Sequence, residues 1–166
     1  MLVVFGGLPG AGKTTIAREL AHQIGAMHLR IDSIEQAIRG WSDGNVPIDD
    51  VGYRVAYAVA QDNLATGISV VADSVNPLSI TRDAWQQVGQ RTRTCTHEIE
   101  IICSNPIEHR RRVETRIADI PGIAPPTWDE VVSREYESWS SAHLVIDTAV
   151  GSVEESVGII RKLIGR

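Results

Sequence analysis

The sequence predicts an α/β fold in which five parallel strands form a sheet between helices. Two observations lead to this prediction. Short apolar runs alternate along the chain with longer segments whose apolar residues recur at helical spacing. Glycine, proline or a good capping residue marks most of the boundaries between them. Strands that alternate with helices pair in parallel, because each helix returns the chain to the starting edge of the sheet.

The first unit of this alternation is a strand, a glycine-rich loop and a helix. The apolar run Leu2–Phe5 is the predicted strand, and the helix runs from about Thr14 to Ile24 with Gly25 as its stop. Between them, residues 7–14 read GLPGAGKT, a complete match to GxxxxGK[ST]. In this order of elements the loop turns its backbone N–H groups toward an anion at the helix N-terminus.

The loop therefore predicts a site for the phosphates of a nucleotide. We expect Lys13 to reach the β- and γ-phosphates and Thr14 to ligate Mg²⁺. ATP and Mg²⁺ are the predicted cofactors, and ATP is favoured over GTP because the sequence has no guanine-reading NKxD. The predicted nucleotide-binding residues are Gly7, Leu8, Pro9, Gly10, Ala11, Gly12, Lys13, Thr14 and Thr15.

The remaining elements follow from the same signals. Further strands are predicted over residues 27–31, 68–72, 97–103 and 143–147. Helices are predicted over about 33–39, 49–65 and 77–88, and after the capping residues Asn105, Thr127 and Ser152. Asn76 is expected to cap the helix that begins at Pro77. The segment Gly40–Pro47 is rich in turn formers, so we expect a loop there.

Length and composition limit the class of protein. A chain of 166 residues with 43% hydrophobic content fits one domain, 1–166, with a substantial core. A net charge of −5 disfavours broad nucleic-acid binding. No apolar run approaches about 18 residues, and the first strand begins almost at Met1. We therefore expect a cytoplasmic protein without a membrane span or signal peptide. Cys95 and Cys103 form no CxxC, which favours reduced, structural thiols.

Two carboxylates lie at predicted strand ends, the edge where parallel sheets bind ligands. Asp32 ends the second strand and Asp73 ends the third. One would hold Mg²⁺, and the other would accept a proton from a hydroxyl that attacks the γ-phosphate. We predict Asp73 as the metal carboxylate and Asp32 as the catalytic residue, although the sequence alone leaves open which is the base. Residues 32–35 also read as a helix capping box, the alternative for Asp32. A metal role is disfavoured for Asp147, which follows the last strand.

Four arginines crowd one predicted helix ahead of a proline- and glycine-rich break: Arg110, Arg111, Arg112 and Arg116. Arg112 and Arg116 are four residues apart and share a helix face. We predict that these two are catalytic cations carried by a lid of about residues 112–127, because phosphoryl transfer needs positive charge at the γ-phosphate. The alternative is a solvated helix face, the interpretation that we favour for Arg110 and Arg111.

Apolar and aromatic side chains of the second half complete the core predictions. Val113 and Ile117 are expected to form the buried stripe of the arginine-rich helix. Core packing is also predicted for the tryptophans at helical core spacing, Trp85, Trp128 and Trp139. Trp41 lies in the predicted loop after Asp32, where it could form a wall of a substrate site.

Taken together, these motifs resemble the AAA-domain group of small P-loop kinases. The resemblance rests on GLPGAGKTT, IDS, VVADSVNP, HRRRVETR and LVIDTAV, and it spans nearly the whole chain. Gluconate kinase, adenylylsulfate kinase, chloramphenicol phosphotransferase and polynucleotide kinase belong to the wider group. The resemblance implies a three-layer P-loop NTPase sandwich with strand order 2-3-1-4-5. It also implies that Asp32 touches the acceptor hydroxyl, that Arg112 and Arg116 are lid arginines, and that residues 148–151 lie near the adenine.

The expected function is therefore ATP-dependent transfer of the γ-phosphate to a hydroxyl of a small polar molecule. One alternative is a nucleotide-dependent switch that acts through a protein partner. Another is a polynucleotide-end kinase, which the acidic charge balance and the 5% aromatic content disfavour. The sequence between Asp32 and Asp73 carries no substrate signature, so the acceptor stays open, as does the oligomeric state.

Overall fold

The computed structural model describes residues 1–41, 50–122 and 124–165. Within these residues, five strands form one parallel sheet in the order β2-β3-β1-β4-β5. The predicted fold class and strand order are both confirmed. The strands are β1 (Leu2–Gly6), β2 (Met27–Arg30), β3 (Val70–Asp73), β4 (Thr96–Ile102) and β5 (Leu144–Asp147).

Helices cover both faces of the sheet. They are α1 (Lys13–Ile24), α2 (Ile31–Trp41), α3 (Val51–Ala65), α4 (Ser79–Thr92), α5 (Pro106–Thr115), α6 (Trp128–Val132) and α7 (Val153–Leu163). None of the described helices is both long and apolar enough to cross a membrane. The predicted loop Gly40–Pro47 lies mostly outside the described residues, and Trp41 is the last residue of α2.

Alternate residues of β1 enter two separate cores, as the two-residue period of a strand requires. Val3 and Phe5 pack with residues of α1 and α7 on one face. Leu2 and Val4 pack with residues of α3 and α4 on the other, where Trp85 is completely buried as predicted. Burial on both faces fixes β1 at the centre of the sheet and therefore fixes the loop that follows it.

Helix boundaries that depend on local capping agree with the sequence predictions. The side-chain oxygen of Asn105 accepts hydrogen bonds from two backbone N–H groups in the first turn of α5. Thr127 and Ser152 both form complete capping boxes with the glutamates three residues later. Gly25 ends α1 in the left-handed conformation with φ of 64°.

The prediction that Asn76 caps the following helix is wrong. Helix α4 begins at Ser79, and Asn76 is buried with φ of 47°. Its side-chain amide donates a hydrogen bond to the carbonyl oxygen of Phe5 at 2.6 Å. Asparagine tolerates this left-handed conformation better than most residues, and the bond satisfies a buried carbonyl at the end of β1.

One core prediction also fails, and two are met only in part. Ile117 is exposed because α5 ends at Thr115, so the helical spacing that pairs it with buried Val113 does not reach it. Trp128 is only partly buried, at the start of the short helix α6. Trp139 lies outside any helix, and its ring packs near His143 and beneath the guanidinium of Arg82.

Candidate active site

The glycine-rich loop leaves β1 and enters α1 with a backbone that only glycine adopts easily at several positions. Gly10 has φ of 81°, and a Cβ there would lie 2.5 Å from a methyl carbon of Val113. Gly7 has φ of 130°, and a Cβ there would collide with the carbonyl oxygen of Ile101. The predicted loop therefore forms as expected, pressed closely against β4 and α5.

Side chains from distant elements hold the carbonyl groups of this loop. The ring Nε2 of buried His109 donates to the carbonyl oxygen of Pro9 at 2.8 Å. The hydroxyl of Thr148 lies 2.8 Å from the carbonyl oxygen of Ala11, to which it donates. These contacts anchor the carbonyl groups of Pro9 and Ala11 to α5 and to the segment after β5. Sequence reasoning missed the role of His109, because nothing in its helix indicates a bond to residues 100 positions away.

Lys13 and Asp73 lie close together at the mouth of the loop. Lys13 is buried, and its Nζ donates to the carbonyl oxygen of Leu8 at 2.9 Å. Burial lowers the pKa of Lys13 to about 8, against the opposing charges of Asp73 and Asp32. The lysine therefore remains a predominantly protonated cation at neutral pH, poised beside the loop.

Asp73 is the buried last residue of β3, as predicted. Burial raises its pKa, but hydrogen bonds from His28 and Thr14 and the charge of Lys13 outweigh this and hold the pKa of Asp73 below its usual range. The distance from His28 Nε2 to the Asp73 carboxylate is 3.2 Å. An ionised carboxylate beside the Thr14 hydroxyl is an oxygen donor set that suits Mg²⁺. The residues present therefore fit the predicted metal site, and His28 is a partner that the sequence did not indicate.

Asp32 lies in the first turn of α2, two residues beyond the end of β2. Because α2 begins at Ile31, Asp32 is inside the helix, and its interpretation as an N-cap is wrong. Its carboxylate is about half exposed and lies 3.6 Å from Nη2 of Arg30. A side chain that does not cap its own helix is available for contacts outside it.

Asp32 lines a polar cavity of about 260 Å³ beside the loop. We call it the acceptor cavity. Lys13, Thr14 and Asp73 form its inner end, and residues of α2 form one wall. The charged residues around the rest are Arg30, Glu35, Arg39, Arg116, Asp119 and Arg134. Trp41 is 85% exposed and does not line this cavity, so its prediction as a substrate wall has no support here.

Two further openings adjoin the loop on its other side. The first, of about 380 Å³, is lined by loop residues 12–15 together with Arg18, Arg112 and Arg116. The second, of about 310 Å³, lies against the segment that follows β5 and includes Thr148 and Gly151. The first opening shares Lys13 and Thr14 with the acceptor cavity. Lys13, predicted to reach the phosphates, and Thr14, predicted to ligate Mg²⁺, thus lie where these two spaces adjoin.

The four arginines of the basic cluster divide into two groups. Arg110 and Arg111 are exposed and pair with Glu114 and Glu108 on their own helix, as expected of a solvated face. Arg112 also pairs with Glu108, at 2.8 Å, but it donates in addition to the hydroxyl of Thr148 at 2.8 Å and to its carbonyl oxygen at 3.0 Å. Its side chain therefore lines both of the further openings beside the loop.

Arg116 follows the last residue of α5 and lines both the acceptor cavity and the adjoining opening. It donates to the carboxylate of Asp119 at 3.2 Å. The predicted lid of residues 112–127 accordingly begins within α5, and the described residues from 116 to the start of α6 lie outside helix and strand. Arg134, which follows α6, completes the cationic side of the cavity and was not predicted.

Asp147 has a structural role in this arrangement. Its carboxylate accepts hydrogen bonds from the backbone N–H groups of Ser104 and Ala149, both at 3.0 Å. These bonds hold the pKa of Asp147 below its usual range. They fix the segment after β5, which carries Thr148, against the end of β4.

The sheet order and the glycine-rich loop after its central strand define the P-loop kinase fold. A family model described as an AAA domain matches residues 2–122, and the chain belongs to this family.

Relatives of known description agree with the fold. A "Probable adenylyl-sulfate kinase" of Pseudomonas aeruginosa is 29% identical over 94% of this chain and 73% of its own length. The APS kinase of Mycobacterium tuberculosis, solved in complex with AMPPNP and APS, has a TM-score of 0.72 at 19% identity, over 99% of this chain and 97% of its own. A gluconokinase from Sinorhizobium meliloti has a TM-score of 0.64 at 15% identity, over 98% and 94%.

Proposed function

We propose that this chain is an ATP-dependent kinase that transfers the γ-phosphate to a hydroxyl of a small polar molecule. The observation that carries this proposal is the acceptor cavity. It adjoins the phosphate-binding loop and is lined by the half-exposed carboxylate of Asp32. It shares Lys13 and Thr14 with the neighbouring opening of about 380 Å³, in which we place the nucleotide phosphates. A switch that only hydrolyses nucleotide has no need of a second cavity at the γ-phosphate end.

In this proposal the loop residues bind the phosphates of ATP, and residues 148–151 lie beside the adenine. Thr14 and Asp73 would hold Mg²⁺, which would supply positive charge to the nucleotide phosphates when bound. Lys13 reaches the same oxygens. Both reactants are held in adjoining spaces. The entropic cost of bringing them together is therefore met when they bind, and it no longer adds to the barrier of the chemical step.

The proposed reaction transfers one phosphoryl group to the acceptor and one proton to the protein. The acceptor oxygen forms a bond to the γ-phosphorus while the bond from that phosphorus to the β,γ-bridging oxygen breaks, and ADP leaves with the bridging oxygen. Asp32 accepts the hydroxyl proton as a general base. Negative charge on the transferring group is met by Lys13, by Arg116 and, from the nucleotide side, by Arg112.

The relatives support the same class of reaction. Their descriptions name kinases of small molecules, an adenylyl-sulfate kinase and a gluconokinase. A polynucleotide end is a poorer acceptor, because the chain carries a net charge of −5 and the acceptor cavity measures only about 260 Å³.

A panel of hydroxyl-bearing metabolites and antibiotics, scored for ADP release, tests the proposal. We expect at least one compound to raise ADP release about tenfold or more above the rate without acceptor, and to carry the new phosphate by mass spectrometry. The same compound should have no such effect on Lys13→Met. ADP release that responds to an added protein but to no compound would contradict the kinase proposal and favour a switch.

A further inference from the structure

Arg30 lies between two carboxylates, those of Asp119 and Asp32, that come from different parts of the fold. Its guanidinium is buried at the end of β2. It donates to both carboxylate oxygens of Asp119, from Nη1 at 2.6 Å and from Nη2 at 3.2 Å. The same Nη2 lies 3.6 Å from the carboxylate of Asp32, and Arg30 pairs in register with Asp73 in the sheet.

Asp119 belongs to the segment between α5 and α6 that carries Arg116. Its bidentate contact with Arg30 joins residues that are 89 positions apart and attaches this segment to the central sheet. Asp119 also accepts from Arg116 at 3.2 Å and lies 3.6 Å from Arg18 of α1. The hydrogen bond from Arg30 holds the pKa of Asp119 well below its usual range, which favours the charged carboxylate.

We propose that Asp119 is a positioning residue that docks the lid on Arg30 and thereby couples lid closure to the orientation of Asp32. This inference rests on the proposed function, because it assigns Asp32 to the acceptor. Asp119 acts through its partners, because its carboxylate is bound by Arg30 and Arg116.

The geometry explains why the coupling has consequences for chemistry. A buried guanidinium requires carboxylate partners, and removing one of these partners strongly destabilises the folded protein. Among the described residues, the carboxylates within 4.0 Å of Arg30 are those of Asp119 and Asp32. Without Asp119, Arg30 therefore turns to Asp32 and competes with the acceptor hydroxyl for its oxygens. The lid simultaneously loses its attachment to β2, which moves Arg116 away from the transferring group.

The kinetic test replaces Asp119 with asparagine. We expect Asp119→Asn to lower kcat for acceptor phosphorylation about 10- to 100-fold while the Kd for ATP changes less than about threefold, because positioning and not nucleotide binding is lost. The ratio of ADP released to acceptor phosphorylated should rise, because an undocked lid admits water. Glu114→Gln is the matched control: it removes the exposed pair with Arg110 and should leave all three quantities unchanged.

A double-mutant cycle separates the contact with Arg30 from the contact with Arg116. In an Arg30→Lys background, which keeps the charge but loses the bidentate geometry, Asp119→Asn should have less than about a third of its effect on kcat. Equal effects of Asp119→Asn in both backgrounds would overturn the coupling through Arg30.

Limited proteolysis provides a second test, which requires neither an acceptor nor kinase activity. Trypsin cleaves after Arg116, whose side chain is about two-thirds covered and held by Asp119. We expect Asp119→Asn to raise the cleavage rate at the 116–117 bond about fivefold or more, whereas Glu114→Gln leaves it unchanged. An unchanged rate in Asp119→Asn would overturn the docking role even if a kinase substrate is found. Faster cleavage with no substrate found would support the docking and count against the proposed function alone.

Discussion

At the scale of single residues, burial sets the properties of the proposed catalytic lysine. Lys13 is buried beside the loop, and burial lowers its pKa to about 8. An unfolded lysine titrates near pH 10.4, so the folded chain binds fewer protons than the unfolded chain between these two values. The free energy of unfolding therefore rises with pH across this window. Below about pH 8, Lys13 is charged, and the cost of burying that charge destabilises the folded chain in full.

This leads to a prediction for Lys13→Met, which keeps the apolar stem but removes the charge. Phosphoryl transfer should fall by about 10² or more, because a cation at the phosphates is lost. The free energy of unfolding at pH 7 should be higher than that of the native chain by an amount on the order of 1 kcal/mol, and the difference should shrink above pH 8. Urea unfolding at pH 7 and pH 9.5 measures both values. A variant that is less stable than the native chain at pH 7 would contradict this account of Lys13.

Asp73 is the second residue with a specific expectation. Asp73→Asn keeps the shape of the side chain but removes a charge that His28, Thr14 and Lys13 stabilise. We expect the Mg²⁺ concentration for half-maximal activity to rise about tenfold or more, because an amide is a poorer ligand for this cation. A titration of activity with Mg²⁺ measures it.

Asp147→Asn is the matched control for this titration. It changes the other aspartate at a strand end, which bonds to backbone N–H groups and not to the loop. Its Mg²⁺ dependence should match that of the native chain. A shift in Asp147→Asn without one in Asp73→Asn would reject the assignment of Asp73 as the metal carboxylate.

At the scale of elements, helix α5 and the proposed lid that follows it carry two arginines of the proposed site. Arg112 and Arg116 line the opening beside the loop, whereas Arg110 and Arg111 are exposed and pair only with glutamates of their own helix among the described contacts. Alanine at Arg116 should lower kcat by about 10², roughly 3 kcal/mol, with a smaller effect on ATP affinity, since the charge it meets develops during transfer.

Alanine at Arg112 should lower kcat and also weaken ATP binding, because its hydrogen bonds to Thr148 order the segment near the proposed adenine site. Alanine at Arg110 or Arg111 provides the internal comparison for both arginines. Steady-state kinetics at varied ATP separates the two effects. Equal losses in all four variants would mean that the cluster is only a solvated face.

Elements with local determinants could be predicted from the sequence. The caps at Asn105, Thr127 and Ser152 need only residues within one turn, so their patterns suffice. Asn76 shows the opposite case, because its buried bond to Phe5 depends on two strands meeting in the sheet. A capping pattern cannot show that a distant carbonyl competes for the same side chain.

The whole molecule explains which parts of the site could be predicted. A parallel sheet brings its strand ends to one edge, so Asp73 and the loop could be placed together from the sequence alone. The partners of these residues come from elsewhere in the chain. His28 to Asp73, His109 to Pro9 and Arg30 to Asp119 each span more than 40 residues, and no local spacing encodes them.

The central claim is that Asp32 serves an acceptor in a cavity separate from the nucleotide. With the best acceptor from the panel, Asp32→Asn should be compared with the native chain for acceptor-dependent turnover and for binding of ATP. We expect a fall in turnover of about 10² or more, with the Kd for ATP within about threefold, because an amide fills the same space but cannot accept the proton. Turnover that stays within a few-fold of the native value would contradict the claim.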